Sequence, residues 1–497
     1  MAISDPVARG SFIGVATALI LLGLRHFQTR RRHAQVTQTD TNQRALSNKS
    51  HVAQTATKIR RTAPKSEKNQ TIIGLTVGAS AVALLFAAPV SAQEAAGTSE
   101  ADMAGMDMSH SMTGALGNYA MTREASGTSW QPDITEHAGF EFMRGSWMVM
   151  FHGLLNGVYD QQNGPRGDTK RFASGMFMIM AERPAGADAT LQLRAMLSPE
   201  PLMGPRGYPL LQATGETADG KTPLVDRQHP HDLFMELSAS YSHRFSLDDS
   251  AFVYVGLPGE PAFGPPAFMH RLSIMDSPEA PISHHWLDST HISFGVVTAG
   301  FIHDVWKIEA SAYNAREPDQ HRYNIEPGTL DSTAVRLSWN PTANWSLQTS
   351  WANEISPEQL QPGIHQRKAS ASAILTVPIA NLGWWSTTAA WGRRTSEGVD
   401  LDAWVLESAL KTDRDWTIFS RAEQIQNNEL IALATGRSSV FSVAKVSVGA
   451  IHDWRLSPHL NFGLGGLYAF SFVPGALAAA YGSDPTGAMA FVRLKLH

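Results

Sequence analysis

The chain has 497 residues, no cysteine and a formal net charge of −5. Without cysteine there are no disulfides and no thiolate metal sites, which suits a cell-envelope protein. Residues 1–70 carry 12 basic and three acidic side chains, net +9, and 71–92 carry no charge, so the rest stands at −14. That excess of acid argues against nucleic acid as a partner.

Residues 12–24 are an apolar run of about 13, short for a bilayer span. A second run, 71–92, follows Lys58, Arg60, Arg61, Lys65 and Lys68 and ends Pro89-Val90-Ser91-Ala92-Gln93. The order basic, apolar, small-x-small predicts a secretory signal peptide cut after Ala92. Its depth in the chain leads us to expect a misplaced start codon, with translation beginning near Val52. Residues 1–92 are therefore read as extension plus signal, 93–140 as a flexible periplasmic arm, and 141–497 as the folded body. The arm carries Met103, Met106, Met108, His110 and Met112 with no periodicity.

From Met143 on, apolar and polar residues alternate, as in strands with one apolar and one polar face. Such segments lie near 143–153, 171–182, 190–197, 232–245, 251–257, 289–299, 302–314, 333–339, 345–351, 367–377, 384–393, 403–411, 416–423, 439–452, 459–472 and 487–496. Short connections (183–189, 246–250, 299–302, 340–344, 378–383, 412–415, 453–458) alternate with long ones (154–170, 198–231, 258–288, 315–332, 353–366, 394–402, 424–438, 473–486). About 16 strands with short periplasmic turns and long outer loops predict an all-β fold. The expected fold is a transmembrane antiparallel β-barrel of the Gram-negative outer membrane, with lipid as its surroundings. Trp306, Trp339, Trp345, Trp384, Trp385, Trp416 and Trp454 beside the short turns predict an aromatic girdle. A soluble sandwich or propeller is the alternative, and the terminal Leu496-His497 departs from the aromatic end usual for such barrels.

Gly215 to Thr222 matches a phosphate-loop pattern, but Pro223 follows and no helix does, so it reads as a surface turn and nucleotide is not expected. The motif Asp226-Arg227-Gln228-His229-Pro230-His231-Asp232 closes the second long loop, and His270, His284, His285, Asp288 and His291 lie in or after the third. These loops flank one hairpin, so they are expected to meet at the outer rim. Imidazoles and carboxylates converging there suit Zn(II) or Cu(II), with affinity falling as pH drops through about 6.5. They also suit loops pinned by hydrogen bonds or, with Ser289, a base–nucleophile pair. On the first strands Met148, Met150, His152, Met176, Met178 and Met180 share the polar parity and should face the lumen, with Met196 in phase on the third strand. Thioethers there are ligands for Cu(I) or Ag(I), or equally adaptable filler.

The runs Gly204-Pro205-Arg206-Gly207-Tyr208-Pro209-Leu210-Leu211, 215–232, and Ser283-His284-His285-Trp286-Leu287-Asp288-Ser289-Thr290-His291-Ile292-Ser293 resemble an uncharacterised family of bacterial envelope proteins. That family accompanies copper- or heavy-metal-resistance systems, and the resemblance spans about residues 140–497. A barrel with a Met/His arm is also similar, more distantly, to copper resistance protein B. The resemblance implies a metal-binding or metal-passing barrel, copper favoured, with periplasmic metal-resistance proteins as partners. A general porin with structural histidine loops and an outer-membrane hydrolase remain the alternatives.

Overall fold

The computed structural model describes residues 113–136, 139–412, 415–431 and 439–496. The expected signal peptide, and the arm residues Met103, Met106, Met108, His110 and Met112, lie outside them. A short strand β1 (Phe140–Arg144) turns back on the foot of β2 (Trp147–Gln162). Next come β3 (Thr169–Pro184), β4 (Ala189–Leu197) and a separate hairpin, β5 (Tyr208–Thr217) with β6 (Pro223–Gln228). Thirteen more strands follow, from β7 (Phe234–Arg244) to β19 (Thr486–Leu496). Setting aside β1, β5 and β6, sixteen strands pair antiparallel in sequence, and β19 closes the ring on β2 with Leu496 opposite Gly153. The closed ring leaves no free sheet edge among these sixteen strands, as a chain in hydrocarbon requires.

Side-chain parity sorts the two surfaces. On β11 (Ser332–Thr342) Thr333, Val335, Leu337 and Trp339 are exposed, while Ala334, Arg336, Ser338 and Asn340 are buried in the lumen. Trp306 stacks on Trp339 at 4.8 Å, and Trp416 and Trp454 stand on the same outer edge. Trp384 departs from the expected girdle: its parity turns it inward, where Nε1 donates to Glu136 Oε2 at 2.7 Å. A second girdle, not read from the sequence, comprises exposed Trp351, Trp404, Tyr159 and Tyr468. Trp404 pairs with Gln424, eight residues above Trp416 on the neighbouring strand. That is about 27 Å along the strand, or about 20 Å of membrane depth at a tilt of about 40°. An apolar exterior between two aromatic belts is a lipid-facing surface, and the protein is an outer-membrane barrel of a Gram-negative bacterium.

Seven connections at the foot are tight, as expected, and the opposite end carries the long ones, with three corrections. The expected long loop 154–170 is mostly strand: β2 runs on to Gln162 and only 163–168 connect it to β3. The expected strand at 289–299 begins only at Val296, and the turn after it falls at 304–305. The expected long loop 394–402 is a two-residue turn between β14 (Gly383–Ser396) and β15 (Val399–Lys411). Glu397 and Gly398 both have positive φ, 49° and 79°, which matches the twist of a two-residue hairpin.

The lumen is filled from both ends. Residues 113–136, expected to belong to a flexible arm, fold into the foot of the barrel. Ser242 Oγ donates to the Ala115 carbonyl at 2.5 Å, Ser250 Oγ to Leu116 O at 2.8 Å, and Asn340 Nδ2 to Gln131 O at 2.8 Å. Lumen-facing polar side chains need partners, and this segment's backbone supplies them. From the other end, the 257–295 connection does not stand at the outer rim but turns inward. Its Phe268, Ile274, Ile282, Trp286 and Leu287 are buried against the barrel wall, and Trp286 Nε1 donates to Leu401 O at 3.0 Å. Charged pairs tie it down: Arg271 to Glu407 on β15, Arg493 on β19 to Asp276, and Lys445 to Glu279.

Candidate metal centre

Within the inward-folded loop, a single helical turn, α1 (His284–Leu287), is followed by a 3-10 turn, Ser289–His291. Asp288 joins them and organises the local geometry. Its Oδ1 takes His284 Nδ1 at 2.8 Å, its backbone carbonyl takes His291 Nδ1 at 2.7 Å, and its Oδ2 takes Arg271 Nη1 at 2.6 Å. The spacing of His284 and Asp288 is one helical turn, so the carboxylate meets the ring from the same face. His231 arrives from the other long connection, between β6 and β7. Its backbone N–H donates to Glu200 Oε2 at 3.0 Å, and its Nδ1 lies 2.9 Å from the same oxygen, poorly aligned for a hydrogen bond.

His231, His284 and His291 converge: one ring nitrogen of each lies within 4.8 Å of the others, and all three are buried. The Nε2 atoms of His231 and His291 are buried without a hydrogen-bond partner. In His284 and His291 the Nδ1 hydrogen bond to an oxygen fixes tautomer and ring orientation and leaves Nε2 to bind, while both ring nitrogens of His231 are without a hydrogen bond. Four-coordinate zinc with N ligands at 2.0–2.1 Å needs nitrogens about 3.3 Å apart, and the three nitrogens lie within 4.8 Å of one another. Burial, then the neighbouring rings, holds the His291 imidazole well below its ordinary value, and burial lowers that of His284 despite Asp288. Both are neutral near pH 7, the state a metal ligand requires. Burial alone would raise the Asp288 carboxyl, but Arg271 and His284 more than offset this and it sits below the usual carboxylate range.

The other predicted ligands lie elsewhere. His229 Nε2 faces Glu216 Oε1 at 3.0 Å, and His285 Nδ1 faces Glu317 Oε1 at 3.1 Å, in an adjoining acidic pocket. Asp232 accepts from Arg322 Nη1 at 3.1 Å. His270 is not one of the converging three and lines a cavity of about 100 Å³ that also borders His152, Met150, Met178 and Met180. Met148 packs beside that cavity in a cluster with Met121, Met150 and Met180, and Met176 in another with Met196 and Met235. Ser289 Oγ is 3.4 Å from Lys368 Nζ, and His291 Nδ1 is turned to backbone, so no base–nucleophile pair is assembled there. The phosphate-loop look-alike is the turn between β5 and β6, where Asp219 Oδ1 accepts from the N–H groups of Lys221 and Thr222 at 2.9 and 2.7 Å. Sequence reasoning missed Glu200, Arg271 and Glu407. A buried carboxylate or guanidinium that positions a ligand has no local spacing signal, because its partner is 17 to 136 residues away.

No family model matches the chain, and no curated protein matches it. Among solved structures it is similar to Salmonella typhi OmpF in complex with daunomycin, at 12% identity and a TM-score of 0.47, covering 72% of this chain and 100% of that one. It is also similar to Pseudomonas putida OprB, at 10% identity and 0.46, covering 70% and 94%. An anion-selective porin from Comamonas acidovorans matches at 9% identity and 0.43, covering 70% and 100%. At such values the barrel rests on its own strand order and surface.

Proposed function

We propose that this outer-membrane barrel binds a divalent transition ion, zinc or copper(II), at His231, His284 and His291, in the service of metal passage or homeostasis. One observation carries the reading: three buried imidazoles converge, two with Nδ1 hydrogen-bonded to an oxygen, and two have Nε2 atoms with no partner. Leaving such atoms dry costs about 1–3 kcal/mol each, which a bound ion would offset. Three histidines leave a fourth position open, so an ion can be exchanged or passed on. The likeness of the 283–293 run to envelope proteins of metal-resistance systems supports the same reading and makes copper the favoured cargo.

The test is titration of the purified full chain with Zn(II), and with Co(II), whose visible absorption reports coordination number. Wild type should bind one ion with a tetrahedral cobalt spectrum, and His231→Ala with His291→Ala should weaken binding at least a hundredfold. Equal affinity in the double variant, or a six-coordinate cobalt spectrum, overturns the reading. A second reading, a diffusion channel for small solutes, is supported by the sixteen-stranded ring itself. It requires steady conductance in planar bilayers that Zn(II) leaves unchanged.

A further inference from the structure

A separate feature lies below the histidine trio. Lumen-facing residues of β2, β3 and β4 bring sulfur atoms into register: Met150 is opposite Met180, and Met178 is opposite Met196. Met121 rises from the folded 113–136 segment to join Met148, Met150 and Met180 in one buried cluster. Met176, Met196 and Met235 form a second, and Met178 packs against both. From Met180 to Met176 is four residues of strand, about 14 Å. The upper cluster includes Ile292, beside His291, and Met269 packs on it next to Phe268, whose ring lies 6.3 Å from His231. The thioether column therefore runs from the foot of the barrel to the histidine trio.

The cavity of about 100 Å³ lies in the lower part of this column, and five methionines, 121, 150, 178, 180 and 275, line it. Filler methionines in a core normally close the space between them; here five face a cavity that Glu124, Glu136 and Arg194 also border. His270 also lines it, with an Nε2 shielded from solvent and unpartnered. Burial lowers this imidazole to about 4, so it is a neutral donor at pH 7. Thioether and neutral imidazole together are soft ligands suited to a monovalent d¹⁰ ion, and the Glu124 and Glu136 carboxylates on the same cavity oppose the Arg194 charge there.

We propose that the Met121–Met150–Met178–Met180–Met275 cavity, with His270, is a binding site for Cu(I) or Ag(I), distinct from the histidine trio above it. The proposal does not rest on that trio: a soft ion can occupy the cavity whether or not a divalent ion binds higher up. Methionine side chains bend with little cost, so the sulfurs can gather on an ion without moving the strands.

The experiment uses the full chain with Met103, Met106, Met108 and Met112 replaced by leucine, so that the sequence-identified Met run contributes no sulfur. Ag(I) serves as a redox-inert probe, titrated with and without excess Zn(II). The expected result is one tight Ag(I) site that Zn(II) does not displace. Met178→Leu with Met180→Leu keeps volume and removes sulfur, and should weaken Ag(I) at least tenfold while leaving Zn(II) affinity unchanged. A second readout needs no variant: bound Ag(I) should protect Met150, Met178 and Met180 from peroxide oxidation, read by peptide mass spectrometry. Undiminished Ag(I) binding in the double variant, or equal oxidation with and without silver, overturns the proposal. Undiminished Zn(II) binding in the His231→Ala, His291→Ala variant, with Ag(I) binding intact, would overturn only the divalent reading.

Discussion

Arg271 is the side chain on which the inward fold of the 257–295 connection most depends. It is 1% exposed, and its guanidinium donates to Glu407 from Nε at 2.8 Å and Nη2 at 2.6 Å. Nη1 donates to Asp288 Oδ2 at 2.6 Å and to the Pro266 carbonyl at 2.8 Å. Replacing Arg271 by methionine keeps most of the volume but leaves Glu407 and Asp288 buried without their cation. Removing one partner of a buried pair costs about 3–5 kcal/mol, or roughly two to three and a half orders of magnitude in the ratio of docked to undocked loop. The ring of strands does not depend on this residue, so the cost falls on the loop. Two assays read it: protease cleavage within 257–295 on intact cells, and conductance in planar bilayers. Wild type should resist cleavage there despite lying at the outer end, and Arg271→Met should be cut and conduct more. Adding Glu407→Gln, which removes one stranded charge, should recover part of the protection. Wild-type resistance and conductance in Arg271→Met would refute the idea that this ion network holds the loop in the lumen.

Asp288→Asn keeps the shape but weakens the oxygen on which His284 Nδ1 rests; Zn(II) affinity should fall about tenfold to a hundredfold, measured by calorimetry. An unchanged affinity would mean the ring is oriented by packing alone. Gly264 has φ +77°, and an added Cβ would strike the Leu287 carbonyl of α1. Gly264→Ala should strain this contact by about 1–3 kcal/mol, displace His284 and weaken Zn(II), while heat-dependent gel migration of the barrel stays as in wild type. Burial holds the His284 and His291 imidazoles below their ordinary value, so protons compete with metal only at lower pH than for a free ring. A free imidazole loses about fourfold of its neutral form between pH 7.5 and 6.0; Zn(II) affinity should stay nearly flat over that interval. A steep fall through pH 6.5, expected from the residue types alone, would show that the rings titrate as exposed ones.

Alternation of side chains determined the barrel, because parity is a local property: Thr333, Val335, Leu337 and Trp339 face lipid whatever the neighbouring strand is. The number of spanning strands was legible for that reason, as was the lumen-facing parity of Met176, Met178 and Met180, though β9 (Val296–His303) was expected at 289–299 with its turn at 299–302. What fills the ring was not legible. Residues 113–136 and 257–295 have no period, and their place is set by partners far along the chain, such as Ser242 for Ala115 and Glu407 for Arg271. The same limit applied to the proposed metal centre. Composition singled out eight His and Asp positions in two loops, but only the tertiary fold separated His231, His284 and His291 from His229, His285 and His270. Ring convergence within 4.8 Å depends on how two loops cross inside a barrel. Local sequence does not encode that crossing, because the energies deciding it are those of buried charges paired across more than a hundred residues.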